Sequence, residues 1–289
     1  MKKTLFEGCG TAIATPFNEN GVNLEEFKRL VEDQIKNNVD ALIVCGTTGE
    51  SATMTEEERL QTIECAVKVS NGRIPIIAGT GANNTKAVIE MNKKVEQLGV
   101  DGVLIVTPYY NKTTQEGLLA HYKVIAENTK LPIILYNVPS RTGVNIKPET
   151  CLKLSKIPNI VAIKEASGDL SQIAEIANLC GEELNIYSGN DDQVIPILSL
   201  GGKGVISVLS NIEPKYTHDM CYNYFNGNIK EAAKMQIEAI PLIKALFSEV
   251  NPIPVKAALN MVGYNFGIPR LPLIEMSKEG KKKLSNLIG

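Results

Sequence analysis

The feature that most constrains this chain is a slow alternation between short apolar runs and longer stretches of helical spacing. Eight runs carry it: residues 11–15, 41–45, 74–78, 102–106, 133–136, 160–164, 185–188 and 204–208. They are mostly continuous and rich in Val and Ile, as parallel strands buried on both faces read. Between them, residues 24–37, 55–70, 85–98 and 115–128 repeat apolar positions at about every 3.6 residues. Asn23 with Glu26, and Thr55 with Glu58, form capping patterns at helix starts. Gly99 and Gly181 stand where helices should stop. One strand and one helix every roughly 25–35 residues predicts a closed barrel rather than an open doubly wound sheet. The open sheet would want a glycine-rich turn after its first strand, and Thr15-Pro16-Phe17-Asn18 supplies none. The expected fold is therefore α/β: a (β/α)8 TIM barrel over residues 1–225 with a C-terminal helical extension over 226–289. The stretch after the last strand reads as helix, enough for two or three helices beyond the barrel's own last one.

Several function classes are disfavoured. Thirty basic and 32 acidic residues give a formal charge of -2, so bulk charge draws the chain to neither nucleic acid nor an anionic membrane. Lys281-Lys282-Lys283 reads as the solvated face of a last helix. No apolar stretch approaches the roughly 18 residues a bilayer span needs. Glu7, Gly8 and Gly10 interrupt the start too early for a signal peptide, so the cytoplasm is the expected compartment. The six cysteines, Cys9, Cys45, Cys65, Cys151, Cys180 and Cys221, are scattered without a C-x-x-C pair. Reduced, buried thiols are expected rather than disulfides or zinc ligands. His121 and His218 stand far apart in helical stretches, and no metal site is expected from them.

Barrel enzymes keep their chemistry at the C-terminal ends of the strands. Those ends here read Gly46-Thr47-Thr48-Gly49-Glu50, Gly79-Thr80-Gly81, Thr107-Pro108-Tyr109-Tyr110-Asn111, Tyr136-Asn137, Lys164-Glu165 and Ser188-Gly189-Asn190. Hydroxyls, glycines and one amine converge on one mouth. Burial favours the neutral form of an amine such as Lys164, and a neutral amine attacks a ketone to form an imine. The competing reading is a strand-end lysine that reaches to water. Tyr136 ends the preceding strand and can shuttle protons beside Lys164, or simply fill the core. Thr47 and Thr48 sit on a loop whose N–H groups can face a carboxylate, or cap a helix. Arg141 can fork onto a carboxylate or lie on the surface. Gly49, Gly143 and Gly189 are consistent with plain turns.

Taken together, Gly46-Thr47-Thr48-Gly49-Glu50-Ser51, Thr107-Pro108-Tyr109-Tyr110-Asn111, Tyr136-Asn137-Val138-Pro139-Ser140-Arg141-Thr142-Gly143 and Ile163-Lys164-Glu165-Ala166 resemble the signatures of the dihydrodipicolinate synthase family, in its order and spacing. Asn251-Pro252-Ile253-Pro254-Val255-Lys256 resembles a further segment. The resemblance spans essentially the whole chain. It implies condensation of pyruvate with L-aspartate 4-semialdehyde through a lysine Schiff base, in lysine and diaminopimelate biosynthesis, with no metal or organic cofactor. It also implies a homotetramer arranged as a dimer of dimers. By the same resemblance, Lys164 matches the Schiff-base lysine and Tyr136 the proton-transfer tyrosine. Thr47 and Tyr110 match the rest of the relay, Tyr110 coming from a neighbouring subunit. Thr48 matches the pyruvate-carboxylate site, Arg141 the residue that receives the semialdehyde carboxylate, and Gly189 and Ile206 positions lining the pocket.

Ser51, Ala52, Asn83 and Tyr109 match a site at which the family often binds lysine as a feedback inhibitor. Here the chain departs from the pattern. Glu56 and Arg59 stand where strongly inhibited relatives carry histidines, and Ala87 where they carry a glutamate. An ammonium ligand loses an acceptor at Ala87 and meets a like charge at Arg59, so weak or absent inhibition is expected. The rival reading is another pyruvate-dependent aldolase, such as an N-acetylneuraminate lyase or a keto-sugar-acid aldolase. Arg141 and the Tyr109-Tyr110 pair favour a small aldehyde bearing a carboxylate instead.

Overall fold

A computed structural model describes residues 2–288. Eight parallel strands close into a barrel in the order β1-β10-β9-β8-β7-β6-β5-β4. They are β1 (Gly8–Ala12), β4 (Ala41–Val44), β5 (Ile76–Gly79), β6 (Gly102–Val106), β7 (Ile133–Asn137), β8 (Ile160–Glu165), β9 (Asn185–Ser188) and β10 (Gly204–Ser207). A small antiparallel hairpin, β2 (Phe17–Asn18) with β3 (Gly21–Val22), lies in the first strand-to-helix connection. The expected barrel is thus the observed one.

The first strand is displaced from its expected place at residues 11–15. It runs Gly8-Cys9-Gly10-Thr11-Ala12, which carries no apolar run. The barrel demands small residues there, because a Cβ on Gly10 would stand 2.6 Å from the Phe6 ring and 2.8 Å from Ile43. Phe6 stacks on Tyr187 with ring centroids 4.3 Å apart, and the Tyr187 hydroxyl donates to the Phe6 carbonyl at 2.7 Å. Together they fill the barrel interior, so bulk missing from β1 is supplied by a neighbouring aromatic pair. The more apolar Ile13-Ala14-Thr15 continues past the strand as buried loop, where the Thr15 hydroxyl donates to the Gly49 carbonyl at 2.8 Å.

The helices follow their spacing closely: α1 (Leu24–Lys36), α2 (Glu56–Ser70), α3 (Thr85–Gln97) and α4 (Gln115–Glu127). Thr55 and Glu58 form a complete capping box. Asn23 caps α1 by accepting from the Glu26 N–H, whereas the Glu26 carboxylate accepts from Arg29 and from the Asn265 N–H instead. Gly99 and Gly181 both adopt positive φ at helix ends. The short α5 (Pro139–Thr142), then α6 (Pro148–Ser155), α7 (Leu170–Cys180), α8 (Val194–Ser199) and α9 (Pro214–Phe225) complete the ring. His121 lies in α4 and His218 in α9. All six cysteines are free and buried. Among the described residues no group of three or more potential metal-ligating side chains forms, and no helix is long and apolar enough to cross a membrane.

Three helices follow the ring: α10 (Ile229–Leu246), α11 (Ile253–Met261) and α12 (Lys278–Ser285). They return the chain to the barrel mouth. There Lys256 of α11, fully buried, donates to Glu50 at 2.7 Å, and the Arg270 N–H donates to the other oxygen of Glu50 at 2.9 Å. The Lys256 amine also lies 4.2 Å from the centre of the Phe17 ring. Burial pushes its pKa down and the Glu50 charge opposes that shift. Arg270 adds an ion pair to Glu58, at 2.5 Å. These contacts tie the extension to the loop after β4. Removing one member of a buried pair strands the other charge. Lys256→Met is therefore expected to cost about 3–5 kcal/mol, read from urea unfolding. The double variant Glu50→Leu with Lys256→Met should recover part of that loss.

Candidate active site

Parallel register decides what meets at the mouth. β7 pairs with β8 so that Tyr136 is the partner of Lys164. Successive side chains on a strand alternate faces, so paired residues point the same way. The Lys164 amine lies 4.4 Å from the centre of the Tyr136 ring. Lys164 is only 6% exposed and Tyr136 7%. The lysine therefore does not reach to bulk water; it ends in a cavity of about 210 Å³ that Tyr136, Thr47, Thr48, Arg141, Gly189 and Asn251 also line.

Each wall has a local cause. Gly189 follows β9, and its N–H donates to the Glu165 carbonyl at 2.8 Å. A Cβ there would stand 2.6 Å from Ala166 Cβ, 3.0 Å from the Glu165 carbonyl oxygen and 3.2 Å from Lys164 Cε. Glycine is required by that close approach, not by a turn. Thr48 is buried, and its Oγ1 accepts from Asn251 Nδ2 at 3.0 Å, which leaves the hydroxyl proton free to donate. Arg141, on α5, donates from Nη2 to the Asn251 carbonyl at 3.2 Å. No carboxylate pairs with it among the described residues.

A larger cavity of about 390 Å³ adjoins the first and shares Thr47, Tyr136, Arg141 and Asn251 with it. Ser51, Ala52, Arg59 and Tyr109 line its far side. Asn83 stands just outside, donating to the Tyr109 carbonyl at 3.2 Å. Arg59 donates to the Gly79 carbonyl at 2.8 Å, Glu56 pairs with Lys94, and Ala87 is exposed on α3. Two expected residues lie apart. Ile206 is buried in the barrel interior and lines neither cavity. Tyr110 is 93% exposed, has a φ of +68° and does not line Lys164's cavity.

Two buried acids and one amide were not singled out from residue patterns. Glu165 lies beside Lys164 in the chain, wholly buried, and accepts from Asn137, the Ser167 N–H and Gln172. Burial raises its pKa against those hydrogen bonds. Asp191 accepts from Ser207 Oγ at 2.5 Å and from the Val208 and Leu209 N–H groups, each at 3.0 Å. Burial raises its pKa too, opposed by these donors and by the Lys164 charge. Asn251 reaches the site from the extension, about 90 residues after Lys164 in the chain, and only the tertiary fold discloses that.

The Dihydrodipicolinate synthetase family model matches residues 5–289. The chain belongs to the dihydrodipicolinate synthetase family. It is 56% identical to a 4-hydroxy-tetrahydrodipicolinate synthase of a Thermoanaerobacter species over 98% of this chain and 96% of that protein. A dihydrodipicolinate synthase crystal structure from Thermotoga maritima superposes with a TM-score of 0.96 at 47% identity, covering 98% of each chain. The Acinetobacter baumannii dihydrodipicolinate synthase, solved in complex with pyruvate, gives a TM-score of 0.95 at 42% identity, again over 98% of each chain. Membership of the dihydrodipicolinate synthetase family makes the chain a lyase of the 4-hydroxy-tetrahydrodipicolinate synthase type.

The Gly189 contact yields a test within the family frame. Gly189→Ala must push Lys164 or Ala166 aside by a few tenths of an ångström or more. Misplacing a reacting group by about 1 Å can cost on the order of 100-fold in rate. The variant is expected to keep its circular dichroism spectrum and to lose at least about tenfold in kcat.

Proposed function

We propose that the chain condenses pyruvate with L-aspartate 4-semialdehyde through an imine on Lys164. The observation that carries this reading is the enclosed amine of Lys164 beside Tyr136, in a cavity that also holds a free threonine hydroxyl and an unpaired guanidinium.

The neutral Lys164 amine adds to the pyruvate ketone, and loss of water gives an iminium. Thr48 donates to the pyruvate carboxylate. Loss of a methyl proton gives an enamine, with the iminium nitrogen as electron sink. The enamine carbon attacks the aldehyde carbon of the semialdehyde, whose carboxylate Arg141 receives. The substrate amine then adds to the iminium carbon, Lys164 leaves, and the ring closes. Tyr136, 4.4 Å at its ring centre from the amine, moves protons between these states. Thr47 lines the same cavity and extends the relay. We assign the third relay position to Tyr110 of a neighbouring copy. Its 93% exposure suits a side chain that serves another subunit's site. A homotetramer built as a dimer of dimers provides that neighbour.

Lysine is expected to inhibit weakly or not at all. Ser51, Ala52 and Tyr109 line a cavity that Arg59 and Arg141 also line, and Ala87 supplies no carboxylate. A lysine ammonium would meet like charges there, and Glu50, the one acid lining the cavity among the described residues, is already engaged by Lys256 and the Arg270 N–H.

One assay series tests the reading. Purified protein should form the cyclic dicarboxylate from pyruvate and L-aspartate 4-semialdehyde, and should not cleave N-acetylneuraminate. Arg141→Ala should raise KM for the semialdehyde by roughly tenfold or more, as loss of a hydrogen bond to a charged group does, with the pyruvate KM near the parent value. Lysine at sub-millimolar concentration should leave the rate unchanged; strong inhibition there would contradict the assignment at Arg59 and Ala87.

A further inference from the structure

The semialdehyde carries two charged groups on one carbon, a carboxylate and an ammonium. Arg141 answers the first. Nothing assigned so far answers the second, and an ammonium taken out of water needs an acceptor. Among the described residues no Asp or Glu lines the cavity that holds Lys164. Among the described residues the only acid lining the larger cavity is Glu50, and its two oxygens are already taken, one by Lys256 and one by the Arg270 N–H.

Asn251 has what is missing. It is 6% exposed and lines both cavities. Its Nδ2 donates to Thr48, and its backbone carbonyl holds Arg141. Its Oδ1 is buried and has no hydrogen-bond partner among the described residues. Buried acceptors are rarely left unpaired, and each one that is calls for an explanation, be it an ordered water, local strain or a functional partner. The orientation of the amide follows from Thr48. Were the amide reversed, Thr48 would donate to Oδ1 and lose the proton with which it holds a carboxylate.

We infer that Asn251 Oδ1 receives the ammonium of the second substrate and so selects an amino aldehyde over its des-amino analogue. This rests on the reading that Thr48 and Arg141 hold the two carboxylates. Geometry supports the pairing. Arg141 is anchored on the Asn251 carbonyl itself, so a carboxylate gripped by Arg141 brings its neighbouring ammonium to the same residue. Chemistry supports an amide in this place. A carboxylate would hold the amine protonated by charge attraction, whereas the amine must lose a proton to displace Lys164. A neutral carbonyl oxygen orients the ammonium and still lets it deprotonate.

The test compares KM for L-aspartate 4-semialdehyde with the competitive Ki of succinate semialdehyde, at saturating pyruvate, in the parent protein, Asn251→Ala and Asn251→Asp. Pyruvate loading of each is checked by borohydride reduction. Asn251→Ala should raise KM for the amino aldehyde roughly 10- to 100-fold, as loss of one hydrogen bond to a charged group does, while the Ki of the des-amino aldehyde changes little. Asn251→Asp keeps an acceptor but forces Thr48 to donate to it. It should raise the pyruvate KM and retain the preference for the amino aldehyde. If the two constants move together in Asn251→Ala, if neither moves, or if Asn251→Asp loses the preference, the inference is overturned. A parent protein that forms no product from pyruvate and the semialdehyde would instead overturn the functional reading beneath it.

Discussion

The site depends on the parallel pairing of β7 with β8, which sets Tyr136 beside Lys164. Barrel closure fixes that register and gives it direction. Every strand ends at the same face, so residues far apart in the chain converge without any long-range motif to bring them together. Lys164 then loses most of its water while keeping a polar neighbour. That environment suits an imine-forming amine: enclosed, and close to a hydroxyl-bearing ring that can take and return protons.

The barrel alone does not complete the mouth. The C-terminal helices add Asn251, and the buried pair between Lys256 and Glu50 holds that segment down. A buried ion pair is a poor source of stability but a good source of register, because only one placement satisfies both charges. Glu50 lies in the same loop as Thr47 and Thr48. One contact therefore couples the loop proposed to bind pyruvate to the segment proposed to sort the second substrate. Asn251 touches both sides of this division, through its side chain to Thr48 and its carbonyl to Arg141.

Much of this was legible in the residue pattern, for definite physical reasons. Strands buried on both faces read as continuous apolar runs, so seven of the eight lay within a few residues of their expected bounds. The first did not, because its place demands glycines that leave no apolar signal. The capping box at Thr55 was readable from spacing, but at Asn23 a tertiary partner, the Asn265 N–H, claimed the glutamate instead. Lys164 and Tyr136 stood out as polar groups on the ends of apolar strands, whereas Thr47, Thr48 and Arg141 took their expected roles from the family resemblance. Asn251 did not, since its meaning comes from a contact about 200 residues away in sequence. Ile206 and Tyr110 show the opposite limit. The first is interior packing in the chain as folded, and the second is a surface residue until a second copy is considered.

The central claim is that Lys164 carries the reacting carbon. Incubation with pyruvate, reduction with borohydride and peptide mass spectrometry test it directly. The account predicts a single pyruvate-derived addition on the peptide containing Lys164, absent in Lys164→Ala. No addition, or one on a different lysine, would contradict it.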